Sequence, residues 1–195
     1  MQVTTLSFEN IHAHGPLFAD LLRARHRTFI EQARWDLPQA GGMEFDQYDT
    51  PASRWVAVHD EGRILAGVRL TPTTHRCGIY TYMIRDAQRG LLATIPSNLL
   101  FDPAPVSDRV WEISRGFVCA DVPAPRRRRV HARLLEELTH ASRSVGATQV
   151  LGLVAPGLAR LGASMGLACE AAGPLLSIEA MPNLCVRVRM SDALH

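Results

Sequence analysis

Val110-Trp-Glu-Ile-Ser-Arg-Gly-Phe-Val118, followed by Arg126-Arg-Arg-Arg-Val-His-Ala-Arg-Leu-Leu-Glu-Glu-Leu138 and then Val150-Leu-Gly-Leu-Val154, decides the fold of this chain. The first segment alternates as a strand does. Glu112 and Ser114 fall on one face, and Trp111, Ile113, Arg115 and Phe117 on the other. Residues 127–145 read as an amphipathic helix ended by Gly146, and 148–154 as a continuously apolar strand. Two strands joined by a helical crossover place the chain in one α/β sheet rather than in two domains.

Working outward, residues 54–59 and 63–71 read as strands joined at Asp60-Glu-Gly62, a hairpin signal. On the second, Ile64, Ala66, Val68 and Leu70 form one face, and Arg63, Leu65, Gly67 and Arg69 the other. Residues 2–8 predict a first strand and 16–33 a helix that puts Arg25 and Phe29 on one side. Residues 36–52 mix Pro, Gly, acids and aromatics without a period, and an irregular stretch of that length is usually functional. A short helix is expected over 79–93, a loop over 94–109, a helix over 156–166, and strands near 175–180 and 184–190.

The 195 residues suffice for one domain with its own core, 47% hydrophobic and 21% charged. No lysine occurs, so all 21 basic side chains are arginine. The net charge of +2 does not demand nucleic acid as a partner. No basic n-region precedes an apolar stretch at the start, and no segment has the length of a membrane span, so a cytoplasmic protein without membrane insertion is expected. The four cysteines, Cys77, Cys119, Cys169 and Cys185, are scattered without a CxxC pair, and no metal site is expected. His26, His59, His75, His131 and His140 form no recognisable triad.

Arg25, Arg69 and Arg115, with Asp46, Asp49 and Glu112, all lie beside aromatic or apolar residues. Such charges are costly to bury unless they pair with one another. For Arg115 the partners on offer are Asp46, Asp49 and Glu112, and a bulge in 110–118 would bring Glu112 and Arg115 into one cavity. The cluster can be an ion-pair network that fixes the loop. It can also be a pocket for a small cationic metabolite, with Phe29 and Trp35 offering aromatic faces and Asp46 and Asp49 counter-charge. Arg126, Arg127, Arg128 and Arg129 open a helix, where the dipole favours anions. They are either a solvated turn or the seat of an outside anion, such as an acidic carrier protein or the phosphates of a phosphopantetheine arm.

Arg25-x-x-x-Phe29-x5-Trp35, Asp46-x-x-Asp49, Arg69 in Gly67-Val-Arg-Leu-Thr-Pro-Thr73, and Trp111-Glu112-Ile-Ser-Arg115 together resemble the acyl-homoserine lactone synthases, the autoinducer-making enzymes of bacterial quorum sensing. The resemblance runs by motif over residues 20–118 and by general pattern beyond. It implies a single-domain, three-layer α/β/α fold similar to the GNAT acetyltransferases, with a mixed, mostly antiparallel central sheet. Residues 20–118 would be the S-adenosylmethionine-binding and catalytic half, and 119–195 the acyl-donor half. The implied reaction moves an acyl group from a carrier-protein or coenzyme A thioester to the amine of S-adenosylmethionine, then closes the lactone and releases methylthioadenosine. No cofactor is implied, since both reactants are substrates.

Within that resemblance Glu112 is the general base and Arg115 its catalytic neighbour, while Arg25, Phe29, Trp35, Asp46, Asp49 and Arg69 shape the S-adenosylmethionine pocket. Arg126, Arg127, Arg128 and Arg129 would meet the acyl donor. Gln88 departs from the pattern, standing where the family usually has phenylalanine. The strand segment Leu151–Ala155 lacks the Ser or Thr frequent in makers of 3-oxo products, which leans towards an unsubstituted or unusual acyl group. The competing readings are a GNAT-type N-acyltransferase acting on another amine and a non-catalytic S-adenosylmethionine-binding protein.

Overall fold

The alternating segment forms strand β6, Val110–Val118, in the computed structural model, which describes residues 1–190. The chain begins with β1 (Gln2–Leu6), a 3-10 turn at Ile11–His14 and helix α1 (Leu17–Arg25), which continues as a π-helical segment His26–Gln32. Short strands β2 (Gln39–Ala40) and β3 (Met43–Glu44) precede β4 (Arg54–Asp60) and β5 (Arg63–Pro72). Helix α2 (Met83–Gln88), β6 and helix α3 (Ala124–Ser144) follow. The chain then forms β7 (Gln149–Val154), α4 (Pro156–Ser164), β8 (Ala168–Ala171), β9 (Leu176–Ile178) and β10 (Met181–Arg189).

Two compact units share these elements. The first joins Met1–Leu70 to Arg115–Ala141, and the second joins Thr71–Ser114 to the described residues from Ser142 on. In the first, β1, β4 and β5 run side by side, and both β1–β4 and β4–β5 pair antiparallel. The two-residue turn at Glu61 and Gly62 has φ of 47° and 87°, the left-handed geometry that suits a twisted hairpin. Leu6, Trp55 and Arg69 share one face by register, and Thr5, Val56 and Val68 the other. Helix α1 covers the Arg69 face at Gly67, where an added Cβ would come within 2.5 Å of Leu21. Helix α3 lies on the opposite face, where Thr5 Oγ1 donates to Glu137 at 3.0 Å. Helix, sheet and helix thus form three layers.

In the second unit, β6 pairs parallel with β7, as a crossover connection requires, and β10 pairs antiparallel with β7, β8 and β9. The sheet is therefore mixed and mostly antiparallel. Gly152 brings β7 against β6, since a Cβ there would stand 2.5 Å from Ile113 Cγ1. All four cysteines are free thiols, and burial pushes Cys119 and Cys169 above the ordinary range. No helix among the described residues is long and apolar enough to cross a membrane.

Several expected elements change. The helix expected over 79–93 is confined to Met83–Gln88, because Tyr82 enters it extended and Gly90 leaves it at φ 76°. The irregular stretch 36–52 contains the β2–β3 hairpin, turned by Gly41 and Gly42 at φ 58° and 72°. The single helix 16–33 changes to π geometry after Arg25, with Ala33 N–H bonding Thr28 O. Strand β8 carries no sequence signal of its own, since Ala168–Ala171 offers no alternation of large apolar residues.

Candidate active site

Six charged side chains of the first unit close into a ring of alternating sign. Arg25, at the end of α1, donates from Nε to Glu44 Oε2 at 2.6 Å, and from Nη1 and Nη2 to the two oxygens of Asp49 at 2.7 and 2.9 Å. Glu44, on β3, also receives Arg115 Nε at 3.1 Å. Arg115 Nη2 reaches Asp46 at 2.9 Å, and Asp46 receives Arg69 Nη1 at 2.5 Å. Arg69 Nη1 then returns to Asp49 at 3.0 Å. Three guanidinium groups and three carboxylates cancel in formal charge, which is what allows Arg25, Glu44 and Arg69 to lie essentially without solvent contact.

The loop that supplies two of these carboxylates is itself built around them. Asp49 accepts the Asp46 N–H at 2.9 Å and the Trp55 indole N–H at 2.9 Å, and Asp46 accepts the Tyr48 N–H at 2.9 Å. Burial alone would raise both aspartates, but Arg69 and Arg115 hold Asp46 below the ordinary carboxylate range, as Arg69 and Arg25 hold Asp49. Burial opposes the charge on Arg25, and Asp49 with Glu44 more than reverses this, so its pKa is raised.

An aromatic group borders the ring. Phe29 stacks on Trp35 with centroids 5.1 Å apart and 14° between planes, and meets Phe117 edge-on at 5.9 Å. The Arg115 guanidinium lies 5.7 Å from the Phe29 centroid, and that of Arg69 lies 5.6 Å from the Tyr48 centroid. The π-helical segment carries Phe29, and such segments recur at functional sites. Arg115 sits at φ 54°, a costly conformation for a residue with a side chain, and it breaks the regular strand where its guanidinium enters the ring.

In the second unit, Glu112 is fully buried, and its carboxylate caps α2 from outside that helix. Oε2 accepts the Met83 N–H at 3.2 Å and Oε1 the Ile84 N–H at 2.7 Å. Burial and the charge of Glu112 push the neighbouring Tyr82 phenol well up and Cys185 up to about 12. The Tyr82 hydroxyl donates to Pro105 O at 2.6 Å. Gln88 pins the following loop like a strand neighbour, donating to Asp102 O at 2.9 Å and accepting from Ala104 N at 2.7 Å. Gln88 is thus a polar clasp on that loop.

Arg126, Arg127, Arg128 and Arg129 occupy the first turns of α3. Arg126 is engaged with Asp60 at 2.5 Å, and Arg127 bonds Ala120 O at 3.5 Å. Arg128 and Arg129 are exposed.

The sequence-derived residues Arg25, Phe29, Trp35, Asp46, Asp49, Arg69 and Arg115 come together in the first unit, while Glu112 is placed at α2 in the second. The carboxylates that pair with Arg115 are Glu44 and Asp46, so the expected choice among Asp46, Asp49 and Glu112 omitted one partner. Glu44 stands in the stretch 36–52, which has no period in sequence that would single it out. The signal was present in Ala40-Gly-Gly-Met43, a hairpin turn that fixes the next residue.

The sequence profile of the autoinducer synthase family matches residues 10–193. An acyl-homoserine-lactone synthase of Ralstonia solanacearum is 31% identical over 169 residues, covering 84% of this chain and 78% of that protein. Among solved structures, TofI, in a ternary complex with an inhibitor and MTA, superposes with a TM-score of 0.78 at 27% identity, over 98% of this chain and 92% of its own. An acyl-CoA N-acyltransferase from Pseudomonas aeruginosa shares the fold alone, with a TM-score of 0.60 at 14% identity over 96% of this chain and 99% of its own. A match across nearly the whole chain, together with the buried ionic ring and its aromatic border, establishes that this chain belongs to the autoinducer synthase family, the acyl-homoserine lactone synthases.

Proposed function

We propose that the chain makes an N-acyl-homoserine lactone from S-adenosylmethionine and an acyl thioester. The amine of S-adenosylmethionine loses a proton and attacks the thioester carbonyl, and the thiol leaves. The methionyl carboxylate then attacks the carbon beside the sulfonium, closing the lactone and expelling methylthioadenosine. The observation that carries this reading is the neutral ring of Arg25, Glu44, Arg115, Asp46, Arg69 and Asp49 beside the Phe29–Trp35 stack. Aromatic faces attract a sulfonium, and a ring without net charge does not repel one. Arg25, Asp46, Asp49 and Arg69 are the pocket's frame, Phe29 and Trp35 its aromatic side, and Arg115 the ring member next to that side.

Glu112 is the proton acceptor for the amine, directly or through water. The two α2 amides hold its carboxylate in place, which a general base needs. Lactone closure is largely a proximity effect, since both reacting groups belong to one bound molecule. For the acyl donor, Arg128 and Arg129 offer exposed charge to a phosphopantetheine arm or an acidic carrier surface, with Arg127 beside them; Arg126 acts through its pair with Asp60. S-Adenosylmethionine and acyl thioesters are cytoplasmic metabolites, and the enzyme works there with no cofactor.

The test is an end-point mass-spectrometric assay with S-adenosylmethionine and parallel panels of acyl-carrier-protein and acyl-CoA thioesters. An acyl-homoserine lactone formed with methylthioadenosine supports the reading and identifies the donor. An acylated product without methylthioadenosine would mark an ordinary N-acyltransferase. Glu112→Gln is expected to remain folded and to lose acylation by about a hundredfold or more; unchanged turnover removes Glu112 from the mechanism.

A further inference from the structure

We infer that Glu44 is the positioning residue that sets both the pose of Arg115 and the charge of the S-adenosylmethionine pocket. The inference rests on the reading above and adds a residue to it. Glu44 bonds the Nε atoms of two arginines, Arg25 at 2.6 Å and Arg115 at 3.1 Å, from a side chain with no solvent exposure. It is thus the strut between the end of α1 and the irregular point of β6.

The two arginines depend on it differently. Arg25 keeps both oxygens of Asp49 on its other nitrogens, so it has a second anchor. Arg115 is bonded only by Glu44 at Nε and Asp46 at Nη2 among the described residues, with its guanidinium near the Phe29 ring. Its backbone is at φ 54°, a conformation that persists only when surrounding contacts determine it. Removing the Glu44 bond leaves one carboxylate to hold a strained residue, while Nη1 is the edge not used within the ring.

Glu44 also sets the charge of the ring, whatever the pose of Arg115. With Glu44 ionised the ring holds three positive and three negative groups. Without that carboxylate it carries a net +1, buried, beside the surface that receives a sulfonium. Like charges in a partly desolvated site repel strongly, so affinity for the cationic substrate falls, and affinity for the thioester does not.

The experiment is steady-state kinetics of Glu44→Gln and Glu44→Asp, with each substrate varied in turn and the folded fraction set by circular dichroism. Glu44→Gln removes the charge and should raise KM for S-adenosylmethionine about tenfold or more, leaving KM for the acyl thioester within about twofold. Glu44→Asp keeps the charge but is one methylene too short to span both Nε atoms, and should give a smaller rise in the same KM. A merely structural strut would lower apparent kcat through the folded fraction and leave KM unmoved; that result overturns the inference. If Glu44→Gln does not fold, Glu44→Asp decides, an unchanged KM for S-adenosylmethionine being the contrary result. A wild-type protein inactive with S-adenosylmethionine would instead overturn the proposed function.

Discussion

Arg69 shows how one side chain can serve a fold and a pocket together. It is wholly buried on β5 and binds Asp46 and Asp49, so its removal leaves two carboxylates short of a partner in a desolvated place. Breaking a buried ion pair from one side costs about 3–5 kcal/mol. Arg69→Gln should lose stability of that order in urea unfolding, with activity falling in parallel with the folded fraction. A loss under about 1 kcal/mol would mean that the aspartates relax onto Arg25 and Arg115.

At the scale of elements, the β2–β3 hairpin is the small structure on which the site depends. It delivers Glu44, and its turn needs left-handed backbone at Gly41 and Gly42. An added Cβ at Gly42 would meet nothing within 4 Å, so a substitution there reports on backbone conformation alone. Gly42→Ala is expected to cost about 1 kcal/mol and to speed amide exchange at Met43 and Glu44, with Gly42→Asn milder. Equal exchange in all three proteins would show that the hairpin does not need its turn. Gly67 is the contrasting case, because there the packing of Leu21 and Phe117 leaves no room for a methyl group.

For the whole molecule, the ring sets an acid limit. Asp46 and Asp49 lie below their ordinary value of 3.8 in the folded state, so the unfolded chain takes up protons first as pH falls. Their stabilisation is complete above about pH 5, begins to be lost near pH 4, and continues to fall through the lower folded-state values. Urea midpoints measured between about pH 7 and pH 3 should drop below about pH 4. A Glu44→Gln protein should show the same direction, since both aspartates keep Arg69. Midpoints that stay level down to pH 3 would mean that the two carboxylates are not depressed.

Local patterns carried much of this protein into view. The strand at Val110–Val118, the helix after Pro125, the apolar run at Val150 and the hairpin at Glu61 and Gly62 are short-range signals; the structure keeps all four elements and interrupts the strict alternation of the first at Arg115. The spacing of Arg25, Asp46, Asp49, Arg69 and Arg115 sufficed to suggest that buried charges must pair, because that cost follows from residue type alone. Which charge meets which depended on tertiary structure. Glu44 and Arg115 are 71 residues apart, and Glu112 reaches amides 28 and 29 positions earlier, distances over which sequence spacing carries no information. The π-helical segment and the left-handed Arg115 were equally hidden, since local propensity disfavours both and only packing and ion pairing from the rest of the fold sustain them.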